Sequence, residues 1–212
     1  SAELEKMKQL GIQVLFVDSN PDPHEFNSVQ PNLQMMVETA IDYFVQAGYQ
    51  KIGFIGGRSW DSTEGRNVLR DTRTRCFESR ARELALFNQN HVFIGDNFSV
   101  DSGYQVGREI VGKIRDDLPQ AFLVASDPLA VGVLQAFNEN KLTVPEDVSM
   151  ISINDIDIAK YVSPPLTTFR IDTEELGKVA IETLRNLIVS PKKSKRMILL
   201  DADLVFRKSF VI

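Results

Sequence analysis

Short runs of consecutive apolar residues alternate along this chain with longer stretches in which apolar positions recur every three or four residues. The runs at 12–17 (IQVLFV), 51–55, 92–94, 121–125 and 148–153 are too short for helices and have no polar face. That is the signature of strands buried on both faces of a parallel sheet. Between them, Leu33, Met36, Val37, Ala40, Ile41, Phe44 and Val45 predict a helix over 32–47, stopped by Gly48. The same spacing predicts helices over 71–88, over 101–115 behind an Asp-Ser cap, over 126–140 from a Ser-Asp-Pro start, and over 174–188. A short helix is expected over 2–10. Extended segments are expected at 167–171, 197–200 and 204–206. The alternation is that of βα units, so the fold class is α/β, with two parallel-sheet subdomains. The predicted subdomains are 1–57 plus 167–190, and 58–166 plus 191–212, with 56–70 and 164–171 as connections.

Composition narrows the function classes. Lys and Arg total 24 against 29 for Asp and Glu, giving a net charge of −5 and a pI near 5.2. Such a balance disfavours nucleic-acid binding by this chain itself. One cysteine, Cys76, rules out an internal disulfide framework and fits a reducing compartment. No apolar run approaches the roughly 20 residues of a membrane helix, and no secretion signal opens the chain, so a cytoplasmic location is expected.

Motifs for catalysis are scarce. His24 and His91 share no ligand spacing with each other or with Cys76, so neither zinc nor another metal or cofactor is expected. There is no nucleophile elbow and no phosphate-binding loop. Gly53–Gly57 (GFIGG) lacks the later glycines of a dinucleotide fingerprint and reads as a tight turn. An enzyme is therefore not expected. Polar residues instead gather where strands end, which is where open α/β sheets bind ligands. Asp18 follows the first strand, Ser126 and Asp127 follow the strand at 121–125, and Asn154 and Asp155 follow the strand at 148–153. Arg73 sits in the first turn of a helix, where a cation opposes the helix dipole. It pairs either with Asp71 or Glu78 on the surface, or with a ligand. Phe98, an aromatic in a polar loop, either stacks on a sugar face or plugs the sheet edge. The basic run 191–196 reads as a solvated turn.

The blocks IQVLFVD (12–18), AIDYFVQAGYQKIGFIGG (40–57), DNFSVDSGYQ (96–105), ASDPLAVGVLQAFNENKLTVPEDVSMISIND (125–155) and SPPLTTFRIDTEELGKVAIETL (163–184), with Phe77 four residues after Arg73, carry a resemblance. The chain resembles the effector-binding domain of LacI/GalR-type transcriptional regulators over nearly its whole length. The resemblance implies a periplasmic-binding-protein-like fold whose two subdomains are joined by three crossovers, the N-terminal one partial in this chain. It places Asp18, Arg73, Phe98, Ser126, Asn154 and Thr173 around a sugar effector in a cleft. It further implies a homodimer that meets operator DNA only through an N-terminal domain outside this chain. The exposed side of the helix at 129–137 and the segment 156–162 are the expected dimer surfaces. Where the family commonly has Asn-Asp this chain has Ser126-Asp127. Where it has Asp-Asp or Asp-Asn, this chain has Asn154-Asp155, preceded by Ser152-Ile153 in place of a Gly-aromatic pair. The ISIND wording is similar to the branch regulating β-galactosidase and galactose genes, which points to galactose or a β-galactoside. The alternative is a transport-type sugar-binding protein of the same fold.

Overall fold

The computed structural model describes residues 6–7, 9–58, 71–190 and 194–211. The chain divides into two compact units, 1–32 with 171–202, and 33–170 with 203–212. It therefore passes between them three times, after Asn32, Arg170 and Ala202. Of the helix expected over 2–10, residues 1–5 and 8 lie outside the described residues; 6, 7 and 9 are helical.

The smaller unit holds β1 (Leu15–Val17), β2 (Asn27–Pro31), β8 (Met197–Leu200) and helix α5 (Thr173–Val189). Its sheet is parallel throughout, in the order β1-β2-β8. Leu176 and Ala180 of α5 bury against Val29, flanked by Leu15, Val179, Ile198 and Leu200. β2 reads NSVQP and has no apolar run, which is why the sequence pattern passes over it. Its polar groups are satisfied inside the unit. Asn20 Nδ2 donates to Ser28 Oγ (3.1 Å), Gln30 Nε2 donates to the same oxygen (3.0 Å), and Arg196 N donates to Asn27 Oδ1 (2.9 Å).

The larger unit holds α1 (Leu33–Gln46), β3 (Ile52–Gly57), α2 (Thr72–Glu83), β4 (Val92–Gly95), α3 (Val100–Ile114), β5 (Ala121–Val124), α4 (Asp127–Glu139), β6 (Ser149–Asn154), β7 (Thr167–Arg170) and β9 (Asp203–Val205). The sheet order is β4-β3-β5-β6-β7-β9; only β9, beside β7, runs antiparallel. Every residue of β3 and β5, and all of β6 except Asn154, is buried, as the uninterrupted apolar runs required.

The sequence-based boundaries differ from these units. The sequence pattern groups β3 with β1 in the subdomain 1–57 plus 167–190, but β3 pairs with β4 and β5, and α1 packs against α2. An apolar run tells that a strand is buried, not which sheet buries it. Likewise 167–170 is a strand of the larger unit rather than a link, and the chain leaves that unit only after Arg170. Residues 59–70, expected to be part of a connection, lie outside the described residues, as do 191–193 of the basic run. The GFIGG glycines lie within β3, not in a turn. A Cβ on Gly53 would meet Phe122 Cε1 at 2.4 Å, and one on Gly57 would meet Asn97 O at 2.6 Å. The helix expected to start at an Asp-Ser cap starts one residue earlier, behind Ser99, whose hydroxyl accepts from Ser102 N at 3.1 Å.

Helices α3 and α4 touch backbone to backbone. A Cβ on Gly132 would lie 2.0 Å from Val100 O and 2.4 Å from Tyr104 N, and one on Gly103 would lie 2.1 Å from Leu129 O. The tail after β9 closes the other side of the core. Phe210 is buried, with its ring edge-on to Phe44 at 5.6 Å. Ser209 bridges β6 and β7: its N–H donates to Pro165 O, its hydroxyl donates to Met150 O at 2.7 Å, and it accepts from Thr167 N at 2.8 Å.

Candidate functional site

The strand order of the larger unit places β3 between its chain successor β4 and the later β5, so the connection from β3 to β4 runs to one side and the connection from β4 to β5 returns across β3 to the other. In open α/β sheets the crevice at such a reversal, outside the strands' carboxyl ends, is where ligands bind. Four parallel strands present those ends together: β3 at Gly57, β4 at Gly95, β5 at Val124 and β6 at Asn154.

Arg73, in the first turn of α2, reaches this edge. Its Nη1 donates to Ala125 O, just past β5, at 2.7 Å. Its Nε and Nη2 donate to Asp71 Oδ1 and Oδ2 at 2.7 and 2.9 Å. Asp71 also caps α2 by accepting from Arg73 N at 3.0 Å. This carboxylate explains how a cation sits at a helix N-terminus: the pair cancels the unfavourable dipole term. A guanidinium has five N–H donors, of which these bonds use three, leaving two without a partner among the described residues. The surface pairing with Asp71 and the ligand role are thus compatible. Phe98 lies under the same guanidinium, 4.5 Å from Arg73 Cζ to the ring centroid. One face of its ring is therefore taken by a cation–π contact, and only the remainder is open to a ligand.

Ser126 and Asn154 sit three residues beyond the paired Leu123 and Ile151 on adjacent strands. Ser126 occupies the N-cap position of α4, but its hydroxyl makes no capping bond. Ser126 Oγ and Asn154 Oδ1 are both buried and have no hydrogen-bond partner among the described residues. Buried polar atoms are nearly always paired in folded proteins, and leaving one unpaired costs about 1–3 kcal/mol. Two such atoms lie at neighbouring strand ends.

Under these atoms lies a network that the sequence reading did not assemble. Asp127 is fully buried. Its Oδ1 accepts from Ser152 Oγ (2.5 Å) and Thr168 Oγ1 (2.7 Å), and its Oδ2 accepts from Ile156 N (2.8 Å). Burial pushes its carboxyl above the ordinary range; those three hydrogen bonds pull it back only in part. Asp155 has the opposite balance. Burial would raise its carboxyl, yet the bonds from Arg170 Nε (2.7 Å) and Arg207 Nη2 (2.6 Å) outweigh that and hold it below the ordinary carboxylate range. A folded pKa below the unfolded one adds stability above the unfolded value, which is lost as pH falls through the folded one. Asp155→Asn is accordingly expected to lower the urea midpoint at neutral pH and to flatten its loss below about pH 4. An acid limb as steep as wild type's would show that the pairing contributes nothing. Among these residues only Asp127, in the Ser-Asp-Pro motif, and Asp155 were visible beforehand as strand-end groups; nothing near Arg207 signalled a partner 52 residues away.

Asp18 and Thr173 belong to the smaller unit. Asp18 ends β1, exposed, with φ 72° and its N–H donating to Val29 O at 3.0 Å. Thr173 is the exposed first residue of α5, behind the cap Asp172, which accepts from Glu175 N at 2.9 Å. Of the six expected residues, the larger unit carries Arg73, Phe98, Ser126 and Asn154 along one sheet edge. Among the described residues, no cluster of His, Cys, Asp and Glu could hold a metal ion, and no helix is long and apolar enough to cross a membrane.

The chain as a whole is similar to known proteins. A family model described as "Periplasmic binding protein-like domain" matches residues 41–210. The HTH-type transcriptional regulator GanR of Bacillus subtilis (strain 168) is 39% identical over 207 residues, which is 98% of this chain and 62% of that protein. The HTH-type transcriptional regulator LacR of Lactobacillus helveticus is 40% identical over 213 residues, 100% of this chain and 62% of that protein. The chain thus spans about three fifths of the length of these curated relatives. The solved structure of a LacI family transcriptional regulator from Arthrobacter sp. FB24, in complex with lactose, superimposes with a TM-score of 0.80. It is 22% identical, and the match covers 97% of this chain and 74% of that one. At that identity the likeness speaks for the fold.

Proposed function

This chain belongs to the periplasmic binding protein-like domain family, in the form carried by LacI/GalR-type transcriptional regulators; from that premise we propose that it is the sugar-sensing effector domain of a cytoplasmic repressor. The observation that carries this reading is the pair of buried, unpartnered atoms Ser126 Oγ and Asn154 Oδ1, beside an arginine with two N–H donors to spare. A sugar supplies what they lack, since each hydroxyl both donates and accepts. Asn154 brings an amide where the family commonly has a carboxylate, so the ligand meets an uncharged group there. Arg73 is already neutralised by Asp71, which favours a neutral ligand over a phosphorylated one. The ISIND segment and the lactose held by the Arthrobacter relative support galactose or a β-galactoside. Asp18 and Thr173 are proposed as further contacts from the smaller unit.

In the full-length protein, effector binding would alter operator affinity by favouring one of two conformations. Paired DNA-reading heads imply a homodimer. The stretch Ile156, Ile158 and Tyr161, exposed by 43%, 43% and 80%, supplies an apolar surface for it. The outer side of α4 supplies only polar positions such as Gln135, Asn138 and Glu139.

A thermal-shift screen tests the effector reading. Galactose or lactose at about a hundredfold excess over Kd stabilises the folded state by about 2.7 kcal/mol. For a chain of this size that is a rise of roughly 5–10 °C. A nucleobase or sugar phosphate that shifts the melt where no neutral sugar does would overturn it.

A further inference from the structure

Asn154 and Asp155 have φ of 122° and 53°, left-handed conformations that cost a side-chain-bearing residue about 1–3 kcal/mol and persist only when the surroundings impose them. Arg170 and Arg207 hold the Asp155 carboxylate, and a second carboxylate holds the chain on either side of the pair. Asp127 Oδ2 takes the N–H of Ile156, the first residue past the strained pair, while its Oδ1 takes Ser152, two residues before Asn154. The carboxylate thus grips the chain on both sides of the turn. Thr168 completes the grip: it donates to Asp127 Oδ1 and accepts from Asp155 N at 3.3 Å. Asp127 is also the first residue of α4, so the turn is fastened to the residue that follows Ser126.

The same bonds bear on one of the two unpartnered atoms, the Ser126 hydroxyl. Asp127 is the strong acceptor at this strand edge, and its oxygens are occupied by Ser152, Thr168 and Ile156. The Ser126 hydroxyl therefore donates to none of them, while Asn154 Oδ1, itself an acceptor, meets no donor among the described residues. Ser152, standing where the family commonly has glycine, adds a hydroxyl donor to this carboxylate.

We infer that Asp127 is the positioning residue of the effector site: it holds the strained 154–155 turn, and through it the Asn154 amide, in the orientation that meets the ligand. This rests on the effector reading above for the ligand, but not for the clamp.

Two measurements on the 212-residue chain test it. Without ligand, amide hydrogen exchange at Ile156 is expected to speed up tenfold or more in Asp127→Ala, and also in Thr168→Val, which keeps the packing should the first variant fail to fold. Unchanged exchange at Ile156 in both variants overturns the clamp. With lactose or galactose, isothermal titration is run as a double-mutant cycle against Asn154→Gly, which removes the amide while tolerating the positive φ. Asp127→Ala is expected to weaken binding about tenfold in the wild-type background and less than about twofold in the Asn154→Gly background, a coupling of roughly 1 kcal/mol. Equal losses in both backgrounds would reduce Asp127 to a general stabiliser and sink the inference. Should wild type bind neither sugar, the sugar reading fails by itself, and the exchange at Ile156 still decides the role of Asp127.

Discussion

Gly132→Val is expected to lower the stability of the larger unit by about 3 kcal/mol or more, among the largest losses available to a single substitution in this chain. The Cβ alone would sit 2.0 Å from Val100 O and 2.4 Å from Tyr104 N. Both are backbone atoms of the facing helix, so no rotamer change can clear them and α3 must move away from α4. Gly107, one turn past Gly103 on α3, is similarly tight, 2.7 Å from Ala136 Cβ, so the separation would run along the helix pair. A built-in control lies on the same helix. Gly112 is exposed with nothing within 4 Å of an added Cβ, so Gly112→Ala is expected to stabilise by about 0.5–1 kcal/mol through helix propensity and the unfolded chain's entropy. Urea titration followed by far-ultraviolet circular dichroism reads both. Equal, small effects at the two positions would mean that α3 and α4 are not in backbone contact.

The second large effect is on binding. Arg73→Ala is expected to abolish the melting shift produced by galactose or lactose, with affinity falling by a hundredfold or more, about 3 kcal/mol. The domain should stay folded, because Asp71 still caps α2 through the backbone N–H of residue 73. A stability loss of about 1–3 kcal/mol is expected, since the mostly buried Asp71 carboxylate and Ala125 O lose their partner. Arg73→Lys should rescue little: an ammonium cannot span both oxygens of Asp71 while also reaching Ala125. Sugar binding retained in Arg73→Ala would mean that the ligand does not sit at the β3–β5 crevice.

How much of this was legible in the sequence depended on whether a signal was local. β3, β5 and β6 could be read because a strand covered on both faces is apolar at every position, and the helices because their buried residues recur with the turn. β2 could not, because NSVQP is a strand through its neighbours β1 and β8, the latter more than 160 residues away. The unit boundary was misplaced for a related reason: the pairing partners of β3 lie 35 to 70 residues downstream. At the site, the strand-end positions of Ser126 and Asn154 and the misplaced cation of Arg73 were visible as anomalies of residue type. The bonds that give them meaning were not. Arg207 reaching Asp155 and Thr168 reaching Asp127 are products of the completed sheet, and no spacing rule announces them.

The antiparallel return of β9 has a consequence for how the molecule is made. Between β7 and β9 the chain spends residues 171–202 in the other unit. The larger sheet therefore receives its edge strand, the Ser209 bridge and the Phe210 plug only after the intervening residues 171–202 have been made. Until then Thr167 N and Met150 O lack the Ser209 hydroxyl, and Phe44 lacks the Phe210 ring. During synthesis the larger unit is a nearly finished fold with one open seam until residues 203–212 have been made.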